Sequence, residues 1–206
     1  MERLRQQWEK IYIKKLSKDI SLSWENERDY NIEKFLYSLN LDVKSKLIEI
    51  GIWSGCNIDL YKEVGLKNIF WVEISKIAVK ILKKTYSEIR VVNINMCDAN
   101  VKNLWKYDII IEWWILHTLD PSCWSIYLKN LKKLFSKKSI WYLRVFKTDK
   151  SDYTKIWNIE NTDLDLRAVN KNYLEKLLKK YWFNIIKLYS DKEYYDGIRV
   201  VRIRII

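Results

Sequence analysis

The sequence predicts an α/β protein with a mostly parallel sheet of seven strands, helices on both faces, and a C-terminal antiparallel hairpin. Short apolar runs alternate with amphipathic segments from Leu47 onward, and this alternation requires crossover connections between parallel strands. The last two apolar runs are separated only by residues 191–196, too short a link for a crossover helix, so they must pair antiparallel. With 206 residues, 49% of them hydrophobic, the chain has the size of one domain.

Two helical segments precede this alternation. Residues 2–16 place Leu4, Trp8 and Ile11 on one apolar face, and a second helical stretch follows at residues 29–39. We expect residues 1–45 to form an N-terminal helical extension, and residues 46–206 to form the main part of the same domain.

The remaining elements follow from periodicity and from turn residues. The predicted strands are 47–51, 68–73, 89–94, 107–112, 139–146, 183–190 and 197–205. The predicted helices are a segment from about residue 54, then 75–86, a short turn after residue 98, 121–135 and 170–181. Residues 147–166 are polar and irregular, which predicts a long functional loop.

The first strand leads into a turn with alternating special residues. The turn has the spacing Glu49-x-Gly51-x-Trp53-x-Gly55, and the second strand ends at Glu73, 22 positions after Gly51. An acidic residue at that strand end is positioned to accept hydrogen bonds from a ribose held over the turn.

This spacing resembles motif I of the class I S-adenosylmethionine-dependent methyltransferases, whose Rossmann-like fold also ends in an antiparallel hairpin. The resemblance covers residues 46–206 and departs at Trp53, where that family has its central glycine. It implies S-adenosylmethionine as the cofactor and a turn whose backbone passes beneath it.

The resemblance also implies cofactor contacts at three strand ends. Glu49 would orient the amino-acid end of the cofactor, Glu73 with Ile74 would hold the ribose, and Asp98 with Ala99 would hold the adenine. Structural alternatives stand beside two of these roles. In those alternatives the Glu73 carboxylate caps the helix that begins near residue 75, and the Asp98 carboxylate caps the turn that follows it.

The fourth strand ends at Glu112, and Ile115-Leu116-His117-Thr118-Leu119 follows it. This stretch is similar to the family segment beside the transferring methyl group, which implies Glu112 and His117 as candidate catalytic residues, with Glu112 also able to face the cofactor. Methyl transfer from a sulfonium needs mainly positioning, and for some acceptors a base. His117 is the only histidine, and a purely structural role is the alternative.

The predicted activity is methyl transfer to a small molecule. A formal net charge of +12 favours an RNA methyltransferase as the alternative, although a lysine-rich codon bias explains the charge equally well. A third reading is a non-catalytic binding protein, because Trp53 fills the space beneath the cofactor. The aromatic residues of the extension, Trp8, Tyr12, Trp24 and Tyr30, either line a lid over the cofactor or attach the helices to the sheet.

Tryptophan replaces glycine at several positions. The chain has 11 Trp and 4 Gly, whereas average usage would give roughly 14 glycines in this length. Glycine-like positions are occupied by Trp53, Trp71, Trp114, Trp141 and Trp182. Our hypothesis is that these are opal codons that the source organism reads as glycine. The alternative is a genuinely tryptophan-rich protein.

The cysteines and the hydropathy pattern exclude several other classes. Cys56, Cys97 and Cys123 form no Cys-x-x-Cys pair, which argues against a metal site or disulfide framework and favours a cytoplasmic protein. The N-terminus lacks the apolar core of a signal peptide. No uncharged apolar run approaches the ~18 residues of a membrane span, so we expect no membrane insertion.

Overall fold

The computed structural model describes most of the chain. The described residues are 2–16, 30–52, 55–98, 101, 105–113, 115–150, 152–158, 164–195 and 198–206. Of the residues singled out above, Trp24, Trp53, Ala99 and Trp114 lie outside these ranges.

Nine strands and six helices are found in the described part. The strands are β1 (Lys46–Ile50), β2 (Asn68–Glu73), β3 (Arg90–Asn93), β4 (Tyr107–Glu112), β5 (Phe135–Thr148), β6 (Tyr153–Asn158), β7 (Asp165–Asn170), β8 (Ile185–Tyr195) and β9 (Ile198–Ile205). The helices are α1 (Glu2–Leu16), α2 (Tyr30–Tyr37), α3 (Ile58–Glu63), α4 (Lys76–Thr85), α5 (Pro121–Lys133) and α6 (Lys171–Lys180).

The sheet has the predicted α/β arrangement. Its parallel part has the order β3-β2-β1-β4-β5-β7, and β1 lies between β2 and β4. Strand β9 pairs antiparallel with β5, and β8 pairs antiparallel with β9. The seven predicted strands and the C-terminal hairpin are therefore confirmed, and all C-terminal ends of the parallel strands lie at one edge.

The prediction of an irregular connection at residues 147–166 is wrong. Strand β5 extends to Thr148, and an additional antiparallel hairpin, β6–β7, continues the sheet through the pairing of Phe146–Thr148 with residues 168–170. Leu166, Ala168 and Val169 are buried, while the intervening residues are polar. Leu164, Leu166 and Ala168 alternate with Asp165 and Arg167, so the two-residue period of a strand is present in the sequence, although the polar residues before it favoured a loop.

Apolar side chains cover both faces of the sheet. Along β1, Leu47 belongs to one cluster with α2, α3 and α4, and Ile48 belongs to the other with α5 and α6. This alternation follows from the two-residue period of a strand whose two faces are both buried. Helices on both faces are thus confirmed. No helix in the described ranges is long and apolar enough to cross a membrane.

The described tryptophans at glycine-like positions have different environments. Trp71 and Trp141 are buried in the core. Trp182 follows α6, is 82% exposed, and has φ of +63°, in the left-handed region that glycine enters most easily. The left-handed backbone at Trp182 favours glycine, whereas the indoles of Trp71 and Trp141 fill space in the core.

Candidate functional site

A cavity lies at the C-terminal edge of the parallel strands, where open α/β sheets bind ligands. Strand ends supply one wall through Gly51 after β1, Glu73 in β2, and Asn95 after β3. Helix α1 closes the opposite side. The cavity volume is about 40 Å³ with the helix in this position.

The backbone conformation at position 51, on this edge of the sheet, requires glycine. It has φ of +78°, and its N–H donates to the Val72 carbonyl at 2.8 Å. A Cβ atom on Gly51 would overlap the Ile115 side chain, which lies across the turn. Gly51 therefore permits both the left-handed turn and the close approach of another group to the backbone. Gly55 also has a left-handed φ, of +79°, but it packs on Ile58 rather than lining the cavity.

Glu73 lines the cavity with a buried carboxylate. Its Oε1 accepts the Ser75 N–H at 2.8 Å, and its Oε2 lies 3.4 Å from the Tyr12 hydroxyl. The first contact is the helix-capping alternative foreseen from the sequence, but it uses only one carboxylate oxygen. The second contact is long, so Oε2 retains capacity for a stronger donor such as a ribose hydroxyl. Burial raises the pKa of Glu73 to about 7. Ile74 lines the cavity beside it.

Glu49 lies beneath the turn and does not line the cavity. Its Oε1 accepts from Asn57 Nδ2 and its Oε2 accepts from the Trp71 indole, both at 3.0 Å. Burial raises the pKa of Glu49 to about 7, although these two donors oppose the shift. The Trp71 indole thus occupies one acceptor site of the carboxylate that was predicted to orient the cofactor.

Glu112 is fully buried at the end of β4, opposite Ile50 in the sheet. Its Oε1 accepts the Leu116 N–H at 2.6 Å. Burial raises the pKa of Glu112 to about 8, against the effect of Leu116 and of the nearby Tyr127 hydroxyl. Within the described residues, Glu112 Oε2 and the Tyr127 hydroxyl each lack a hydrogen bond of good geometry. Tyr127 lines the cavity, so the Glu112 carboxyl and the Tyr127 hydroxyl lie directly behind the cavity wall.

His117 is turned away from the cavity. Its ring packs edge-on against Phe146 at 4.8 Å, and its carbonyl accepts the Arg167 N–H at 2.8 Å. Burial, and secondarily Arg144, keep the pKa of His117 well below its usual value. The neighbouring Thr118 and Leu119 line the cavity instead. A buried ring packed on Phe146 is the environment expected if His117 has a purely structural role.

Asp98 is exposed and is not among the residues that line the cavity. Its carbonyl and that of Met96 accept hydrogen bonds from Asn130 Nδ2 at 2.7 and 2.9 Å, which fixes the backbone after β3. Asn95, Met96 and Cys97 meet the cavity in this region. An adenine contact from Asp98 therefore stays a prediction. Trp53 and Ala99 of the predicted cofactor set lie outside the described residues.

Helix α1 of the N-terminal extension lies against the cavity. Leu4, Trp8 and Tyr12 of α1 line the cavity, and Trp8 is 6% exposed. Tyr30 does not take part; it is 62% exposed and lies beneath the Lys34 amino group. Two of the four predicted lid aromatics thus reach the cavity, and Trp24 is outside the described ranges.

A second, more polar cavity of about 330 Å³ adjoins the first. Leu4, Cys97 and Thr118 line both cavities, so the two are neighbours. Arg167 of β7 lies in the second one, 3.6 Å from Asp120 and 3.5 Å from Asp165. The β6–β7 hairpin thereby contributes a wall that the sequence did not indicate.

The three buried glutamates predict an unusual dependence of stability on pH. Their folded-state pKa values lie above the reference value of 4.5. Their contribution to the free energy of unfolding is therefore greatest below about pH 4.5 and is lost as the pH rises toward 7–8. Replacing Glu112 by Gln removes the most strongly shifted group. We expect the free energy of unfolding of Glu112→Gln, relative to the parent chain, to increase by about 3 kcal/mol between pH 5.5 and 8.5.

Urea unfolding at both pH values measures this difference. Glu88→Gln is the control, because Glu88 is exposed and its pKa is lowered by its 2.6 Å bond to Lys62. A constant difference for Glu112→Gln across the range would show that the carboxyl ionises in contact with water.

Solved structures share this fold at low sequence identity. No protein-family model matches the chain, and no curated protein matches it. The 1,6-didemethyltoxoflavin-N1-methyltransferase of Burkholderia thailandensis, solved with 1,6-didemethyltoxoflavin and S-adenosylhomocysteine, matches with a TM-score of 0.71 and 12% identity, covering 97% of this chain and 87% of that one. This chain has the class I methyltransferase fold.

The same fold is matched in an S-adenosylmethionine-dependent methyltransferase from Clostridium acetobutylicum, with a TM-score of 0.63, 16% identity and 97% coverage of both chains. The glycopeptide N-methyltransferase MtfA complexed with S-adenosylmethionine matches with a TM-score of 0.62 and 10% identity, covering 84% of this chain and 92% of that one.

Within this methyltransferase fold, several cavity residues were missed from the sequence. Asn95 follows a predicted strand, so its position at a strand end was a usable signal. Tyr127 lies in the middle of α5, where its spacing is that of any buried helix residue. Only the packing of α5 against β4 shows that its hydroxyl faces Glu112.

Proposed function

We propose that this protein is an S-adenosylmethionine-dependent methyltransferase that acts on a small molecule. The observation that carries the proposal is the pairing of Gly51 with Glu73 at the C-terminal edge. Gly51 has a left-handed φ, and beside it the buried Glu73 carboxylate has a long contact, 3.4 Å from Oε2 to the Tyr12 hydroxyl. This is the arrangement expected for a ribose held over the first turn.

The residues of this chain fit such a cofactor in the following roles. Gly51 lets the backbone pass beneath it, Glu73 accepts the ribose hydroxyls, and Asn95 with Cys97 meets the base. Glu112 would place a carboxyl behind the cavity wall, where a positive sulfonium favours its ionised form. A contact from Glu49 to the amino-acid end stays a prediction, because Glu49 does not line the cavity. When bound, S-adenosylmethionine supplies an activated methyl group for in-line displacement.

Helix α1 acts as a lid in this proposal. Its Leu4, Trp8 and Tyr12 side chains reduce the cavity to about 40 Å³, so a nucleoside-sized cofactor requires the helix to withdraw. Residues 1–45 then form the movable cover, and residues 46–206 form the catalytic domain. Return of the helix would exclude water from the transferring methyl group.

The second cavity is the proposed site for the methyl acceptor. It adjoins the first through Thr118 and Cys97, and its volume of about 330 Å³ suits a small molecule. Methyltransferases of this fold include one solved with 1,6-didemethyltoxoflavin and one described as a glycopeptide N-methyltransferase. Both are consistent with a small or compact acceptor for this chain.

RNA methylation is the second candidate activity, because the formal charge of +12 favours a polyanionic acceptor. A non-catalytic binding protein is the third, since Trp53 stands at the family's central glycine. We place the protein in the cytoplasm on the basis of its three cysteines, which form no Cys-x-x-Cys pair, a composition typical of reducing compartments.

Calorimetric titration of S-adenosylmethionine tests the proposal. The titrations use the chain as written and a variant in which Trp53, Trp71, Trp114, Trp141 and Trp182 are glycine. We expect the glycine variant to bind with micromolar affinity and the chain as written to bind more weakly, because the family's glycine at position 53 leaves space beneath the cofactor that an indole would fill. If a folded glycine variant does not bind, the non-catalytic reading replaces the methyltransferase proposal.

A further inference from the structure

The opposite edge of the sheet carries a row of basic residues. Parallel strands have their N-terminal ends at one edge, and here the parallel strands β3, β2, β1, β4 and β5 each begin at or near an exposed lysine or arginine. We call this row the basic edge; its members are Arg90, Lys67, Lys46, Lys106, Lys137 and Lys138. Because neighbouring strands lie about 4.8 Å apart, the row spans about 19 Å across the five strands.

The strand beginnings place these residues at one edge, although at different levels: Lys46 pairs with Asn68, and Arg90 pairs with Phe70. Lys46 begins β1, while Lys67 and Lys106 immediately precede β2 and β4. Lys137 and Lys138 lie in the irregular stretch of β5 between its pairings with Tyr107 and Ile109. The row is therefore a consequence of the topology and is not visible as a charge run in the sequence.

The charges of the basic edge are not neutralised within the described ranges. None of its six members takes part in an ion pair there. Asp108 accepts the Lys46 backbone N–H at 2.9 Å, and Glu88 pairs with Lys62. Lys106 also helps to lower the pKa of Lys132, after the larger effect of burial, as expected where like charges crowd.

An exposed aromatic ring adjoins this row. Trp105 is 61% exposed, and its ring packs edge-on against Phe70 at 5.4 Å. The Arg90 guanidinium lies 5.2 Å from the Phe70 ring on the same part of the surface. Unpaired cations beside an exposed ring are the combination that binds single-stranded nucleic acid, through phosphates and through base stacking.

We infer that the basic edge and Trp105 form a binding surface for single-stranded nucleic acid, separate from the cofactor cavity. A linear row of charges suits a linear polyanion better than it suits a planar lipid surface. Because the row lies at the opposite edge from Gly51 and Glu73, a strand bound here is anchored away from the site of methyl transfer. The inference does not depend on the proposed methyltransferase activity.

Fluorescence anisotropy with a labelled 12-nucleotide oligouridylate tests this surface at several salt concentrations. Six phosphate contacts give a slope of about −4 in log K against log salt, so affinity should fall roughly 300-fold between 50 and 200 mM salt. The triple variant Lys46→Gln, Lys67→Gln, Lys106→Gln should halve that slope. The charge-matched control, with exposed Lys80, Lys84 and Lys176 changed to Gln, should keep it.

Trp105→Ala separates stacking from charge. It should weaken the oligouridylate about tenfold at constant slope and leave inorganic polyphosphate binding unchanged. Equal losses in the two triple variants would overturn the inference in favour of diffuse attraction by net charge. Binding to anionic phosphatidylserine vesicles that requires the basic edge, without oligouridylate binding, would overturn it in favour of a lipid surface.

Discussion

Replacing Glu73 by alanine is expected to weaken S-adenosylmethionine binding by 100-fold or more. Two ribose hydroxyls on a buried carboxylate form charge-assisted hydrogen bonds, each with a net contribution of about 1.5–3 kcal/mol. The carboxylate lies at the cavity, where its Oε1 accepts the Ser75 N–H at 2.8 Å and its Oε2 lies 3.4 Å from the Tyr12 hydroxyl. Calorimetry at pH 8, above the raised pKa of about 7, measures the effect with the parent carboxyl ionised.

A second variant separates binding from folding. Glu73→Gln keeps an oxygen for the Ser75 N–H but cannot accept two ribose hydroxyls as a carboxylate does. We expect Glu73→Gln to unfold at a temperature equal to or above that of the parent at pH 8, because it removes a buried charge, and still to bind at least tenfold more weakly. Parent-like affinity in Glu73→Gln would assign Glu73 to capping of α4 alone.

Strand ends were the part of the site that the sequence could predict. Strands β2 and β4 have the bounds predicted from their apolar runs, so Glu73 and Glu112 were correctly placed at their C-terminal ends. Gly51 was predicted from its place in the turn after the first strand, whose spacing resembles motif I. These features depend on local spacing along the chain, which periodicity reports directly.

The direction of side chains beyond the strand ends could not be predicted. His117 and Thr118 are adjacent, yet His117 packs on Phe146 while Thr118 lines both cavities. The backbone of the turn after β4 decides this difference, and no periodic signal describes an irregular turn. The second cavity was missed for a related reason, since Arg167 comes from a hairpin whose polar sequence had predicted a loop.

The tryptophans show how one sequence anomaly has different structural meanings. At position 182 the backbone is left-handed and the indole is exposed, so glycine would fit better. At position 71 the indole is buried, and its N–H donates a hydrogen bond to the buried Glu49 carboxylate. The glycine-recoding hypothesis therefore stays a prediction that each position must test separately.

Trp141→Gly gives the largest expected change in stability. The indole is fully buried between Phe183 at 5.3 Å and Phe135 at 6.4 Å. Removing the indole should leave a cavity and lower the free energy of unfolding by on the order of 4 kcal/mol. This loss already includes the small gain from removing an indole N–H that has no partner in the described part of the chain. Chemical denaturation, read by the fluorescence of the other tryptophans, measures the loss.

Trp182→Gly is the matched control for this substitution, because the same two residue types are exchanged at an exposed site. Relief of a left-handed non-glycine residue should raise the free energy of unfolding by about 1 kcal/mol, whereas Trp182→Ala should give no such gain. Opposite signs at positions 141 and 182 would show that the core depends on its tryptophans. A gain in stability at both positions would mean that the fold was selected with glycine at each, and would extend the recoding hypothesis into the core.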